Sequence, residues 1–203
     1  MPSIQKLTRM LFVLVCVQFA IFAGAATADP PTRVARLAYV QGTVSFAPAG
    51  EDEWVVATPN RPLVAGDRIW SDAAARTEFQ IGSAVLRLGA STSATVLNLD
   101  DRITQFEVTE GSVQINARRL APNEVVEIDT PNLALTIRRP GVYRIEVDAN
   151  GDSTAVGVRR GEAEVYGEGA AYVIPSGQFY RFYATGLQQS QYAATGGVGI
   201  HAH

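Results

Sequence analysis

The sequence predicts an all-β protein, an irregular β-solenoid or twisted β-superhelix of short strands behind an N-terminal signal peptide. Three observations carry that prediction. Apolar residues alternate with polar ones in runs of four to eight, broken by Gly-containing turns, which is the pattern of half-buried strands. A strand–Gly–strand unit recurs, as V-Q-G-T-V-S-F (40–46), V-T-E-G-S-V-Q-I (108–115) and V-R-R-G-E-A-E-V (158–165). After the first 28 residues no stretch has the apolar spacing of an amphipathic helix of ordinary length.

Residues 1–28 divide into a positive start (Lys6, Arg9), an apolar run from Met10 to Ala23, and the small-residue pattern Ala26-Thr27-Ala28. This is the layout of a secretory signal, cleaved between Ala28 and Asp29. The apolar core is short for a spanning helix and is interrupted by Gln18, which argues against the alternative of an uncleaved inner-membrane anchor. Cys16, the single cysteine, leaves with that segment. Disulfides, thiolate catalysis and Cys-ligated metal are thereby excluded from the mature chain, and stability rests on its core. The chain is expected in the periplasm, touching a membrane only through the signal before cleavage.

Residues 29–33 form a leader and residues 34–184 the folded domain. Val34 to Phe46 reads as a bent strand pair, and Trp54-Val55-Val56 as a brief strand. Pro59 to Pro62 is a turn. Leu63 to Leu99 holds a turn at Ala65-Gly66-Asp67, a short strand, a loop, two strands hinged at Gly82-Ser83, and a final strand. Ile103 to Val108 opens the next strand after the Asp100-Asp101 turn. Further strands follow over 125–128, 133–137, 142–147, 172–174 and 179–183, with Asn150-Gly151-Asp152 as the strongest hairpin turn. From 185 to 203 the composition shifts to Gln, Ala, Gly and Thr, which predicts a disordered tail.

Glycine suits a strand that must bend sharply, because it reaches backbone angles closed to other residues. Arg pairs also recur at intervals near 20 residues, Arg118-Arg119, Arg138-Arg139 and Arg159-Arg160, each at the end of an alternating strand. A repeating unit of this size made only of strands and turns points to stacked coils sharing one core. The uneven spacing of Gly42, Gly111 and Gly161 favours an irregular superhelix over a strict solenoid. A sandwich or barrel is the competing architecture.

The motifs G-D-R-I-W-S-D (66–72), T-E-F-Q-I-G-S-A-V-L-R-L (77–88) and T-P-N-L-A-L-T-I-R-R-P-G-V-Y-R-I-E-V (130–147) resemble the FecR-domain family. R-L-A-Y-V-Q-G-T-V-S-F (36–46) is similar to a group of exported FecR-like proteins of unknown function. The resemblance implies an all-β periplasmic module. In the best-understood relatives that module belongs to a transmembrane regulator, which takes a signal from an outer-membrane transporter and binds a sigma factor through a cytoplasmic domain. About ten residues precede the apolar run here, too few for a folded cytoplasmic domain, so the sigma-factor function is not carried over.

Little in the sequence supports chemistry. The two histidines, His201 and His203, lie in the expected tail, so no Ser-His-Asp or Cys-His arrangement can form in the domain. Asp100-Asp101 reads as a solvated turn, and Glu162 with Glu164 as partners of arginines rather than a glycosidase pair. No glycine sits in a strand–loop–helix phosphate site. Without Lys6 and Arg9 the chain carries 15 basic and 20 acidic groups, and that acidic balance argues against nucleic acid.

The expected role is therefore a non-enzymatic protein without cofactor, catalytic residue or metal site. It works in envelope signalling or assembly by contact with an envelope protein. The contact would use strand addition at an open sheet edge or docking on an Arg-bearing face. Arg118, Arg138 and Arg159 are the candidate partner-binding residues, with pairing to Glu110, Glu127, Glu146 or Glu164 as the plain alternative. Binding of envelope glycan by Trp54, Trp70 and Tyr180 is the second functional reading.

Overall fold

The computed structural model describes residues 35–192, with side chains described through Gln188. The signal peptide, its Ala28/Asp29 cleavage point, the 29–33 leader and both histidines lie outside the described residues. Within them every regular element is a strand: β1 (Ala35–Gln41), β2 (Val44–Ala47), β3 (Val55–Val56), β4 (Pro62–Leu63), β5 (Arg68–Ser71), β6 (Arg76–Ile81), β7 (Ala84–Leu88), β8 (Thr92–Leu99) and β9 (Ile103–Ala117), then β10 (Val125–Asp129), β11 (Ala134–Ile137), β12 (Gly141–Val147), β13 (Ser153–Arg160), β14 (Glu162–Gly167), β15 (Ala170–Pro175), β16 (Gln178–Tyr183) and β17 (Gln188–Tyr192).

The strands form two sheets that share β9. One runs β4-β1-β6-β7-β9-β12-β13-β16-β17, and the other β3-β2-β5-β8-β9-β10-β11-β14-β15. Their inward side chains meet in one core, whose largest fully buried members are Tyr143, Phe46, Phe79, Phe106 and Phe182. Each such side chain contributes roughly 1.5–3 kcal/mol by leaving water.

Register shows how the chain passes between the sheets. β1, β7 and the first half of β9 run toward one rim. The chain turns over that rim at Gly42, at Gly89–Ser91 and at Gly111. β5 arrives at the same rim and crosses through 72–75. After β9 the crossings lie on the opposite rim, at 118–124, 138–140, Gly161 and 176–177, where before β9 the chain crosses at 64–67, between β4 and β5. This reversal explains one exceptional pairing. A chain that leaves the far end of β9 and crosses back must re-enter the other sheet alongside the first half of β9, and β10 is accordingly parallel to it.

The solenoid expectation is corrected here in one respect. Stacked coils would place parallel neighbours throughout, whereas every pair except β9–β10 is antiparallel. The layers are bent strands laid in zigzag, not coils. The tail expectation also shifts, because Leu187 is buried and 188–192 form β17, which pairs with β16. The Pro59–Pro62 turn runs into the two-residue edge strand β4.

Candidate functional site

The repeated Gly unit marks sharp crossings. Inward residues of one straight strand are separated by even intervals. Val108 and Val113 are both buried, as are Val158 and Ala163, and each pair is five residues apart. The odd interval is satisfied because the strand passes over a rim and faces the core again from the other sheet. Gly111 (φ 92°) and Gly161 (φ 96°) take that bend in a left-handed conformation. A buried hydroxyl fills the space a Cβ would need at each. Thr92 Oγ1 accepts the Ser112 N–H at 3.0 Å, and Tyr143 Oη accepts the Glu162 N–H at 3.1 Å. Tyr143 also donates to the Arg139 carbonyl, tying two neighbouring crossings together. Burial raises the Tyr143 pKa above the ordinary phenol value, keeping the donor protonated.

The three Arg pairs lie on the second rim, each at a crossing. Arg118-Arg119 opens 118–124, Arg138-Arg139 forms 138–140, and Arg159-Arg160 precedes Gly161; all six side chains are exposed. β9, β12 and β13 are adjacent, so the outer pairs stand about 10 Å apart at two strand spacings. Arg138 bonds Glu164 at 2.6 Å and also Tyr166. Those contacts raise its pKa, the Glu164 hydrogen bond foremost, and Tyr166 with Arg138 lowers that of Glu164. Arg139 reaches Glu162 at 3.6 Å. No ion pair of the described residues involves Arg118, Arg119, Arg159 or Arg160. Their backbones are fixed: Arg118 N–H donates to the Ser83 carbonyl, Ser83 Oγ to the Arg119 carbonyl, and Ser176 Oγ to the Arg159 carbonyl. Gly82, Ser83, Arg118 and Arg119 line a cleft of about 360 Å³.

Of the predicted counter-ions, Glu164 serves Arg138, while Glu146 pairs with Arg144 on the outer face. Glu127 bonds Gln105 and Thr136. Gln105 Nε2 also donates to Asp129 Oδ2, so one amide serves two carboxylates. Burial and the Glu127 charge hold the Asp129 pKa above its usual value. Asp100 is a turn residue whose Oδ1 accepts the Arg102 and Ile103 N–H groups, both at 2.7 Å, which lowers its pKa. Among the described residues no three acidic, His or Cys side chains gather to hold a metal.

The aromatic set divides. Trp54 lies under Arg68, and Trp70 donates to Asp72 at 2.7 Å, both toward the β3 end. Tyr180 packs on Phe182 toward the β15–β16 end, so the fold does not gather the three into one platform. A feature the sequence reading did not single out is the asymmetry between sheet edges. β3 and β4 are two residues long, and β4 contains Pro62. β15, A-A-Y-V-I-P, is six residues long, carries no charge, pairs only with β14, and leaves Tyr172 and Val173 exposed.

Residues 67–164 match the FecR protein family. The match opens at Asp67, a buried carboxylate that accepts the Ala49 and Val64 N–H groups, and it ends inside β14. Two crystal structures of a candidate anti-sigma factor from Parabacteroides distasonis ATCC 8503 share the fold, each with a TM-score of 0.54. They are 16% and 15% identical to this chain, covering 62% of it and 59% of their own length. No curated protein matches the chain.

Proposed function

Residues 67–164 form a FecR-family domain, and from that premise we propose that the chain is an exported, non-enzymatic interaction module of envelope signalling. It acts in the periplasm and takes a protein partner by strand addition. The observation that carries this reading is β15. Natural sheets blunt their edges with short strands, charge or proline, and an uncharged apolar edge is a template for another chain. Here β3 and β4 carry that protection and β15 has only the terminal Pro175. The partner segment is accordingly extended and apolar, pairing through main-chain hydrogen bonds while side chains meet Tyr172 and Val173.

Photo-crosslinking residues placed at 171 and 173 in the native envelope test the reading. The expected result is one discrete protein captured from both positions and lost when Val173→Lys puts a charge on the edge, with the melting temperature unchanged. Capture that survives Val173→Lys, or no discrete adduct, overturns it.

A further inference from the structure

We propose that the second rim docks on the anionic headgroups of a phospholipid bilayer. The six exposed arginines of the three pairs stand on this rim, and four of them, Arg118, Arg119, Arg159 and Arg160, enter none of the ion pairs of the described residues. The acids nearby are engaged: Asp100 by backbone N–H groups, Glu162 by Arg139, and Asp101 and Glu124 by contacts of their own. Like charges about 5 Å apart along a sheet repel, and a surface of phosphates relieves that repulsion at several points together. The cleft beside Ser83 and the Arg118-Arg119 pair has the volume, about 360 Å³, to admit a phosphodiester. Beside it Ile103 and Val125, neighbours in register at the same end of the sheet, expose apolar side chains that suit the headgroup boundary.

Charge segregation makes the docking directional. Asp72, Glu110, Asp148, Asp152 and Glu168 lie at or beside the crossings and hairpins of the opposite rim. The seven-residue β12 spans the distance between the rims, about 20 Å. That is about two and a half Debye lengths at physiological salt, so a bilayer at the second rim is screened from those acids and meets the arginines together with the fewer acids of their own rim. The chain also enters the fold here, because Ala35 is registered with Ile81 beside the Gly82-Ser83 turn.

The test is co-sedimentation of the full chain with phosphatidylcholine vesicles, with and without phosphatidylglycerol, at physiological salt. The wild-type chain prefers the anionic vesicles, and raising the salt erases the preference. Each arginine at such a surface is worth about fivefold in partitioning. Arg→Ser at 118, 119, 159 and 160 together therefore lowers the preference by roughly six-hundredfold. Arg→Lys at the same four positions keeps most of it, because headgroup attraction needs charge and not the guanidinium fork. Lys6 and Arg9 are common to every variant and cancel. An unchanged preference in the Ser variant overturns the proposal. So does a wild-type chain indifferent to phosphatidylglycerol but retained on immobilised polyglutamate through these arginines, which would assign the rim to an acidic protein.

Discussion

The corner at Gly111 and the corner at Gly161 solve one problem on opposite rims. In both a strand leaves one sheet and enters the other, and in both the N–H of the following residue loses its ladder partner. Each is rescued by a buried hydroxyl from a neighbouring crossing, Thr92 at the first rim and Tyr143 at the second. The hydroxyls differ in reach. Thr92 acts from the end of the strand beside its corner, whereas Tyr143 spans from β12 and also holds the Arg139 carbonyl. The comparison teaches that glycine here gives room as well as backbone freedom. The hydroxyl occupies the space of the missing Cβ, so a residue that could adopt the angle would still collide.

Replacing the glycines tests this most severely. A Cβ at Gly111 would lie 2.5 Å from Thr92 Cα and closer still to Ser91 O. One at Gly161 would lie 2.9 Å from Pro140 O and overlap the Tyr143 hydroxyl. Gly111→Ala and Gly161→Ala should each cost roughly 3 kcal/mol or more in denaturant unfolding. Gly177 has a similar φ of 84° but nothing within 4 Å, so Gly177→Ala should cost only about 1 kcal/mol of backbone strain. Equal losses at all three positions would mean that conformation alone matters.

The hydroxyls come next in size. Thr92→Val and Tyr143→Phe each leave a buried N–H unpaired, and each should lower stability by about 1–3 kcal/mol. The Tyr143 change should be the larger, because its hydroxyl ties the 138–140 crossing to the Gly161 corner, whereas Thr92 donates only to the Ala90 and Ser112 carbonyls beside its own corner. A neutral Tyr143→Phe would break the parallel between the rims.

A smaller, pH-dependent effect belongs to β10, the strand that the change of rim inserts. Asp129 has a raised pKa in the folded state, so its favourable contribution is complete below the ordinary value of 3.8 and is lost as pH rises through the folded value. Asp129→Asn should therefore melt higher than wild type at neutral pH. The difference should close as pH falls toward 3.8, followed by calorimetry across that range. The smallest effect is expected from Glu164→Gln. It removes an exposed pairing with Arg138 and should leave the melting temperature within its scatter.

Much of this was legible in the sequence. The alternation over 68–99 yields β5 to β8, Asn150-Gly151-Asp152 turns β12 into β13, and the three Gly units mark crossings. The odd interval from Val108 to Val113 already implies a change of sheet. The change of rim between β9 and β12 could not be read, because a crossing looks alike on either rim. Uneven spacing of Gly42, Gly111 and Gly161 is its trace, and it reads as irregular coiling until register is known. The Arg repeat and its gathering on one face were readable from the sequence, but which rim that face stands on was not. The exposure of β15 was hidden too, since A-A-Y-V-I-P has the composition of a buried strand.

Electron–electron resonance distances between spin labels test the change of rim most directly, in the full chain with Cys16→Ser. Labels at 118 and 160 should lie close, near two strand spacings apart, about 10 Å plus the label arms. Labels at 118 and 150 should be separated by at least the height of the sheet, about 20 Å, plus the arms. A 118–160 distance equal to or longer than the 118–150 distance would place the Arg pairs on different rims and contradict the account.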